Sequence, residues 1–140
     1  MNSTLATDEQ IHALLADSHL WFVVGLDVNP DRPAYRVARF LQSIGKLIVP
    51  IHPRAHTVHG QTGYQSLTDA AADHGAPDVV DVFVRSDRAG KVADEAIAVG
   101  AKAVWFQLDI IDHEAAGRVH DAGLLMVMDR CPAIEYRGAH

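Results

Sequence analysis

The strongest chemical signal in this chain is a run of arginines behind a turn. Arg32, Arg36 and Arg39 are spaced i, i+4 and i+7, so on a helix they share one flank. Guanidinium forks match phosphate oxygens bidentately. At ~3.6 residues per turn, Arg32 and Arg36 lie within about one turn of the helix start. The preceding Gly25-Leu-Asp-Val-Asn-Pro-Asp31 reads as a turn. Gly25 lets the chain leave a strand sharply, and Pro33 suits the first helical position. A helix that begins there aims free N–H groups and its positive dipole end at the turn, which stabilises a phosphate without any side chain. The competing reading is a solvated basic face paired with nearby carboxylates.

A second basic pair discriminates between nucleotides. NAD binders place an acid roughly 20 residues beyond the glycine turn to hold both ribose hydroxyls. Here the matching stretch is Ile51-His-Pro-Arg54, with no acid. His52 and Arg54 favour a phosphorylated ribose, so CoA (3′-phosphate) and NADP (2′-phosphate) both fit better than NAD. His52-Pro53 also reads simply as a strand-ending turn. The G-x-G-x-x-G fingerprint is absent.

Other reactive types carry less. His52, His56 and His59 form H-x3-H-x2-H, which neutral imidazoles could turn into a zinc site. Without cysteine or a fixed helical face the pattern reads as incidental, and no metal is expected. Cys131, in Asp129-Arg-Cys-Pro132, is expected to be an inert, partly buried thiol in a packed tail. No G-x-S-x-G, H-E-x-x-H or P-loop is present, so binding without catalysis is expected.

The elements that must position these groups are legible. Thr7 and Gln10 form a capping box for a leading helix over about 7–18. Apolar runs at Leu20–Val24, Leu47–Ile51, Val79–Val84, Ala103–Phe106 and Leu124–Met128 suit strands buried on both faces. Between them fall helical stripes: Val37/Phe40/Leu41/Ile44, a segment capped by Ser66, Ala89/Val92/Ala93/Ala96/Ile97, and one capped by Asp112. An irregular tail is expected over about 129–140. The alternation predicts an α/β fold: a Rossmann-like, doubly wound, five-stranded parallel sheet with helices on both faces, as one domain over 1–140. Ligands of such sheets bind beyond the carboxyl ends of the strands.

Totals narrow the function classes. A net charge of −6 over 140 residues argues against nucleic-acid or anionic-membrane binding. A single cysteine permits no intrachain disulfide. No basic-then-apolar leader opens the chain, and no apolar run is long enough to span a bilayer. A cytoplasmic location is the expectation.

The stretch Gly25 to Arg39 resembles the small CoA-binding protein family, a single Rossmann domain similar to the N-terminal domain of the succinyl-CoA synthetase α subunit. Val49-Pro-Ile-His-Pro53, Val79–Ser86, Gly100–Gln107 and Met128–Tyr136 resemble that family too, so the likeness spans about residues 8–137. It implies that Gly25, Asp27, Asn29, Pro30, Arg32, Tyr35 and Arg36 hold the pyrophosphate of coenzyme A. It places His52, Pro53 and Arg54 at the adenosine end, with Phe83, Arg85, Ser86 and Gln107 along the rest of the groove. Two positions depart from the family pattern: Asp27 stands where a small hydroxyl residue is usual, and Asp109 where glycine is common. Both bring negative charge toward the expected phosphate path, with three outcomes open: weaker CoA binding, an altered ligand, or neutralisation by Arg32 and Arg36. The expected activity is binding of CoA or an acyl-CoA. The alternatives are an NADP-binding oxidoreductase-like domain and an interaction domain whose nucleotide site has decayed.

Overall fold

Short strands that are apolar on both faces must lie between two layers of helix, and they do. The computed structural model describes residues 4–138. Its strands are β1 (Leu20–Val24), β2 (Leu47–Ile51), β3 (Val79–Val82), β4 (Ala103–Phe106) and β5 (Leu125–Val127). All neighbours are parallel, in the order β2-β1-β3-β4-β5. The helices are α1 (Asp8–Asp17), α2 (Pro33–Ser43), α3 (Leu67–His74), α4 (Ser86–Ala98), α5 (His113–Asp121) and α6 (Pro132–Gly138).

Alternate strand residues feed two cores. Phe22, Val24, Val80, Val82, Val104 and Phe106 pack under α3, α4 and α5. Trp21, Val23, Ile48, Val79, Trp105 and Val127 pack under α1 and α2, with Tyr136 of α6 against them. Each buried indole keeps a partner for its N–H: Trp21 donates to Ser18 Oγ (2.9 Å) and Trp105 to the Arg130 carbonyl (2.8 Å).

Local signals act as read. Thr7 and Gln10 close the capping box of α1, while Ser66 and Asp112 cap α3 and α5 through their side chains. α2 differs, because its N-cap is Arg32, with Pro33 next and no side-chain cap. Two expectations need correction. The segment from Pro132 to Gly138 is a helix, not an irregular tail. Tyr136 sets its ring edge-on to Phe40 of α2 at 5.6 Å, and Glu135 pairs with Arg130 at 2.8 Å, so tertiary contacts hold this short helix. β3 ends at Val82, two residues early, as the chain turns toward α4. Among the described residues no helix is long and apolar enough to cross a membrane.

The strand order sets the crevice. From β1 the chain crosses to β2 by α2 on one face, and from β3 to β4 by α4 on the other. The loops leaving β1 and β3 therefore diverge, and the space between them is the switch point where such sheets hold ligands.

Candidate functional site

Glycine decides the floor of the crevice. Gly25 has φ +96°, and a Cβ added to it would meet Phe83 Cβ at 3.2 Å. Its N–H donates to the Ile51 carbonyl (2.8 Å), so the exits of β1, β2 and β3 meet around one residue. A side chain there would be strained and would push against Phe83, whose N–H is tied to the Val24 carbonyl (2.9 Å).

The turn then builds the start of α2. Asn29 Oδ1 accepts from the Asp31 N–H (3.0 Å), and the Asn29 carbonyl accepts from the Arg32 N–H (3.2 Å). This Asx turn delivers Pro33 to the first helical position. Val28, Asn29 and Pro30 are exposed, as are Arg32 and Arg36. Arg36 reaches only the Asp31 carbonyl, at 3.5 Å. Neither Arg32, Arg36 nor Arg39 has an ion-pair partner among the described residues. The reading of a basic face satisfied by carboxylates therefore does not describe them. Tyr35 stands half-buried on the same helix, its ring 4.3 Å from that of His59.

Asp27 has other partners than Arg32 and Arg36. Its carboxylate lies 3.0 Å from His56 Nδ1, 3.8 Å from His52 Nε2 and 3.7 Å from Arg54 Nη1. The Val28 N–H also donates to it at 2.6 Å. That backbone bond, followed by the His56 bond, holds its carboxyl below the usual range. Of the outcomes open for Asp27, neutralisation by Arg32 and Arg36 is thus not the one seen: β2 is the neighbour of β1, so the loop after β2 supplies the partners of Asp27. His52 Nδ1 accepts the Arg54 N–H (3.1 Å), which places the ring proton on Nε2, toward Asp27. The histidines of the H-x3-H-x2-H run diverge. His52 and His56 turn to Asp27, whereas His59 Nε2 bonds the Tyr35 carbonyl at 2.8 Å.

The far side of the crevice comes from β3 and β4. Arg85 is exposed at the N-cap of α4 and pairs with Asp87 (3.3 Å). Ser86 Oγ accepts from the Ile111 N–H (2.9 Å) and lies 3.4 Å from the Asp109 carbonyl, fastening the loop after β4 to the start of α4. Asp109 has φ +68°, and its N–H donates to Asp129 Oδ1 (2.7 Å). Glycine suits this position for its backbone, and Asp109 takes the left-handed conformation there in the loop after β4. Gln107 is buried at the end of β4, its amide on Asp81.

The fold thus gathers Gly25, Asp27, His52, Arg54 and Phe83 around adjoining strand exits, with Asn29 to Arg36 forming one wall. Arg85, Ser86 and Gln107 stand on the β3–β4 side. Two residues escaped the sequence reading. His56 carried no signal to separate it from His59. Asp81 did carry one, a lone acid inside the apolar run Val79–Val84.

Comparison with known proteins agrees with this architecture. The CoA binding domain family matches residues 19–137. YneT of Bacillus subtilis (strain 168) is 30% identical over 122 residues, covering 87% of this chain and 88% of that protein. A structure of a Pyrococcus horikoshii OT3 protein superposes with TM-score 0.89 at 31% identity, covering 99% of this chain and 95% of that one. Prb, the PH1109 protein redesigned for binding, gives TM-score 0.88 at 33% identity over 95% of this chain and 92% of its own. The Rossmann-like parallel sheet, its switch-point crevice and the family match over residues 19–137 lead to one assignment: this chain belongs to the CoA-binding domain family.

Proposed function

We propose that the chain binds coenzyme A, free or acylated, in the crevice between the β1–α2 and β3–α4 loops, and acts as a binding module. One observation carries this reading. The start of α2 opens on the crevice with no side-chain cap, and beside it Arg32 and Arg36 have no carboxylate partner among the described residues. A diphosphate there gains helix N–H donors and two guanidinium groups, in a chain of net charge −6. Family membership supports the choice of nucleotide. In this reading Asn29, Pro30 and Tyr35 shape the diphosphate wall. His52, Pro53 and Arg54 face the adenosine end, and Phe83, Arg85, Ser86 and Gln107 follow the pantetheine arm.

Asp27 modifies the affinity. His52, Arg54 and His56, the donor groups suited to a ribose phosphate, already surround this carboxylate. An incoming 3′-phosphate must share them with Asp27, which is a like charge and opposes it. Titration calorimetry with CoA, dephospho-CoA and NADP tests the reading. Micromolar CoA binding, weaker for dephospho-CoA and lost in Arg32→Ala/Arg36→Ala, is the expected result. No heat with CoA overturns it, and equal affinity for dephospho-CoA removes the role of His52 and Arg54. Stronger binding by NADP favours the oxidoreductase-like alternative.

The occupied cluster also supports a second reading, an interaction domain whose nucleotide site has decayed. Under it the wild-type chain ignores CoA, and Asp27→Ser creates binding. CoA binding by the wild type refutes it.

A further inference from the structure

At the carboxyl edge of the sheet, one buried polar pair is explained by neither the arginines nor the Asp27 cluster. Asp81 lies in the middle of β3, opposite Val23 of β1 and Trp105 of β4, and is fully buried. Its Oδ2 has no hydrogen-bond partner, while Gln107 Nε2 donates to its Oδ1. A buried carboxyl with an orphaned oxygen is costly, and apolar replacements of that size are common in strands. Gln107, 5% exposed, sits at the carboxyl end of β4, where the chain leaves the sheet. Asp81 occupies the NH2 end of its amide. Its Oε1 accepts no hydrogen bond among the described residues, yet is not among the buried atoms sealed without a partner.

We infer that Asp81 is a positioning residue: it holds Gln107 by the amide NH2, so that the Gln107 carbonyl is a fixed acceptor at the crevice for an N–H donor on the pantetheine arm of CoA. The inference rests on the CoA reading above and adds to it a determinant of ligand class. A free glutamine amide can turn either end to a ligand, whereas one tethered through nitrogen keeps its oxygen on the side away from the tether, as a fixed acceptor. The arm of CoA carries two amide N–H groups, and adenosine 3′,5′-bisphosphate lacks the arm. The pair therefore selects for the arm and is indifferent to the nucleotide half.

The test is calorimetry on the full chain with CoA and with adenosine 3′,5′-bisphosphate, using Gln107→Met, Asp81→Val, the double variant and Asp81→Asn. Loss of one neutral hydrogen bond predicts roughly 3- to 10-fold weaker CoA binding for Gln107→Met. Asp81→Val weakens it similarly, and the double variant is no weaker than either single one. Asp81→Asn keeps an acceptor for Gln107 and restores most of the affinity. Adenosine 3′,5′-bisphosphate binds all of them alike. Unchanged CoA affinity in Gln107→Met overturns the assignment and leaves the CoA reading intact, as do additive losses or an equal loss with the bisphosphate. No CoA binding by the wild-type chain overturns the CoA reading and this assignment together. In ligand-free protein, slow exchange of the Gln107 side-chain amide in the wild type and fast exchange in Asp81→Val is expected, and equal rates refute the tether.

Discussion

Replacing Asp81 by Asn should stabilise the protein, and by an amount that grows with pH. Burial raises the Asp81 carboxyl from 3.8 to about 8, opposed only by the Gln107 hydrogen bond. Between those values the unfolded chain releases its proton while the folded one keeps it. Stability from this group is fully present below pH 3.8, falls as pH rises, and is gone above about 8. The slope is about 1.4 kcal/mol per pH unit, so from pH 3.8 to pH 7 the loss reaches ~4 kcal/mol. Asn is neutral throughout and keeps the acceptor for Gln107, so its variant lacks this slope while sharing every other titration. Urea unfolding of both proteins from pH 5 to pH 9 isolates the difference. The gap in unfolding free energy should widen by ~4 kcal/mol between pH 5 and pH 8 and then level off. With m near ~2 kcal/mol per molar, that is about 2 M in the midpoint. Parallel pH curves would falsify the claim that Asp81 is buried as the acid. A less stable Asn variant at pH 8 would show instead that the carboxylate is favoured.

Further outcomes follow from single contacts. Gly25→Ala places a methyl 3.2 Å from Phe83 Cβ at φ +96°, and should cost about 1–3 kcal/mol of stability and most CoA affinity; thermal melts and calorimetry read both. Asp109→Gly removes left-handed strain at φ +68° and should raise stability by roughly 1 kcal/mol with CoA affinity kept, so a drop in melting temperature would contradict the backbone explanation. Asp27→Ser frees His52, Arg54 and His56 and should tighten CoA more than dephospho-CoA; a uniform change would show that the cluster does not meet the 3′-phosphate. Gly63→Ala would set a methyl 2.2 Å from the His56 carbonyl, shifting that loop and detaching His56 from Asp27; the ring NMR signals of His56 should move, and unchanged signals would contradict the contact.

Much of the scaffold is written in short range. Capping pairs such as Thr7/Gln10 and Ser66/Asp69 act over a few residues, and strand runs such as Leu20–Val24 declare themselves without neighbours. The parallel sheet, the turn at Gly25 and the start of α2 at Pro33 were therefore determined by the chain's own order of residues. Which strands lie side by side was not, and that choice settled the electrostatics. With β2 beside β1, the loop after β2 encloses Asp27, and Arg32 and Arg36 are left without an ion pair among the described residues. The same holds for α6, which forms against α2, for the left-handed backbone of Asp109, and for the sealed carboxyl of Asp81. Charge pairing, strain and desolvation depend on distance in space, and only the assembled sheet sets those distances.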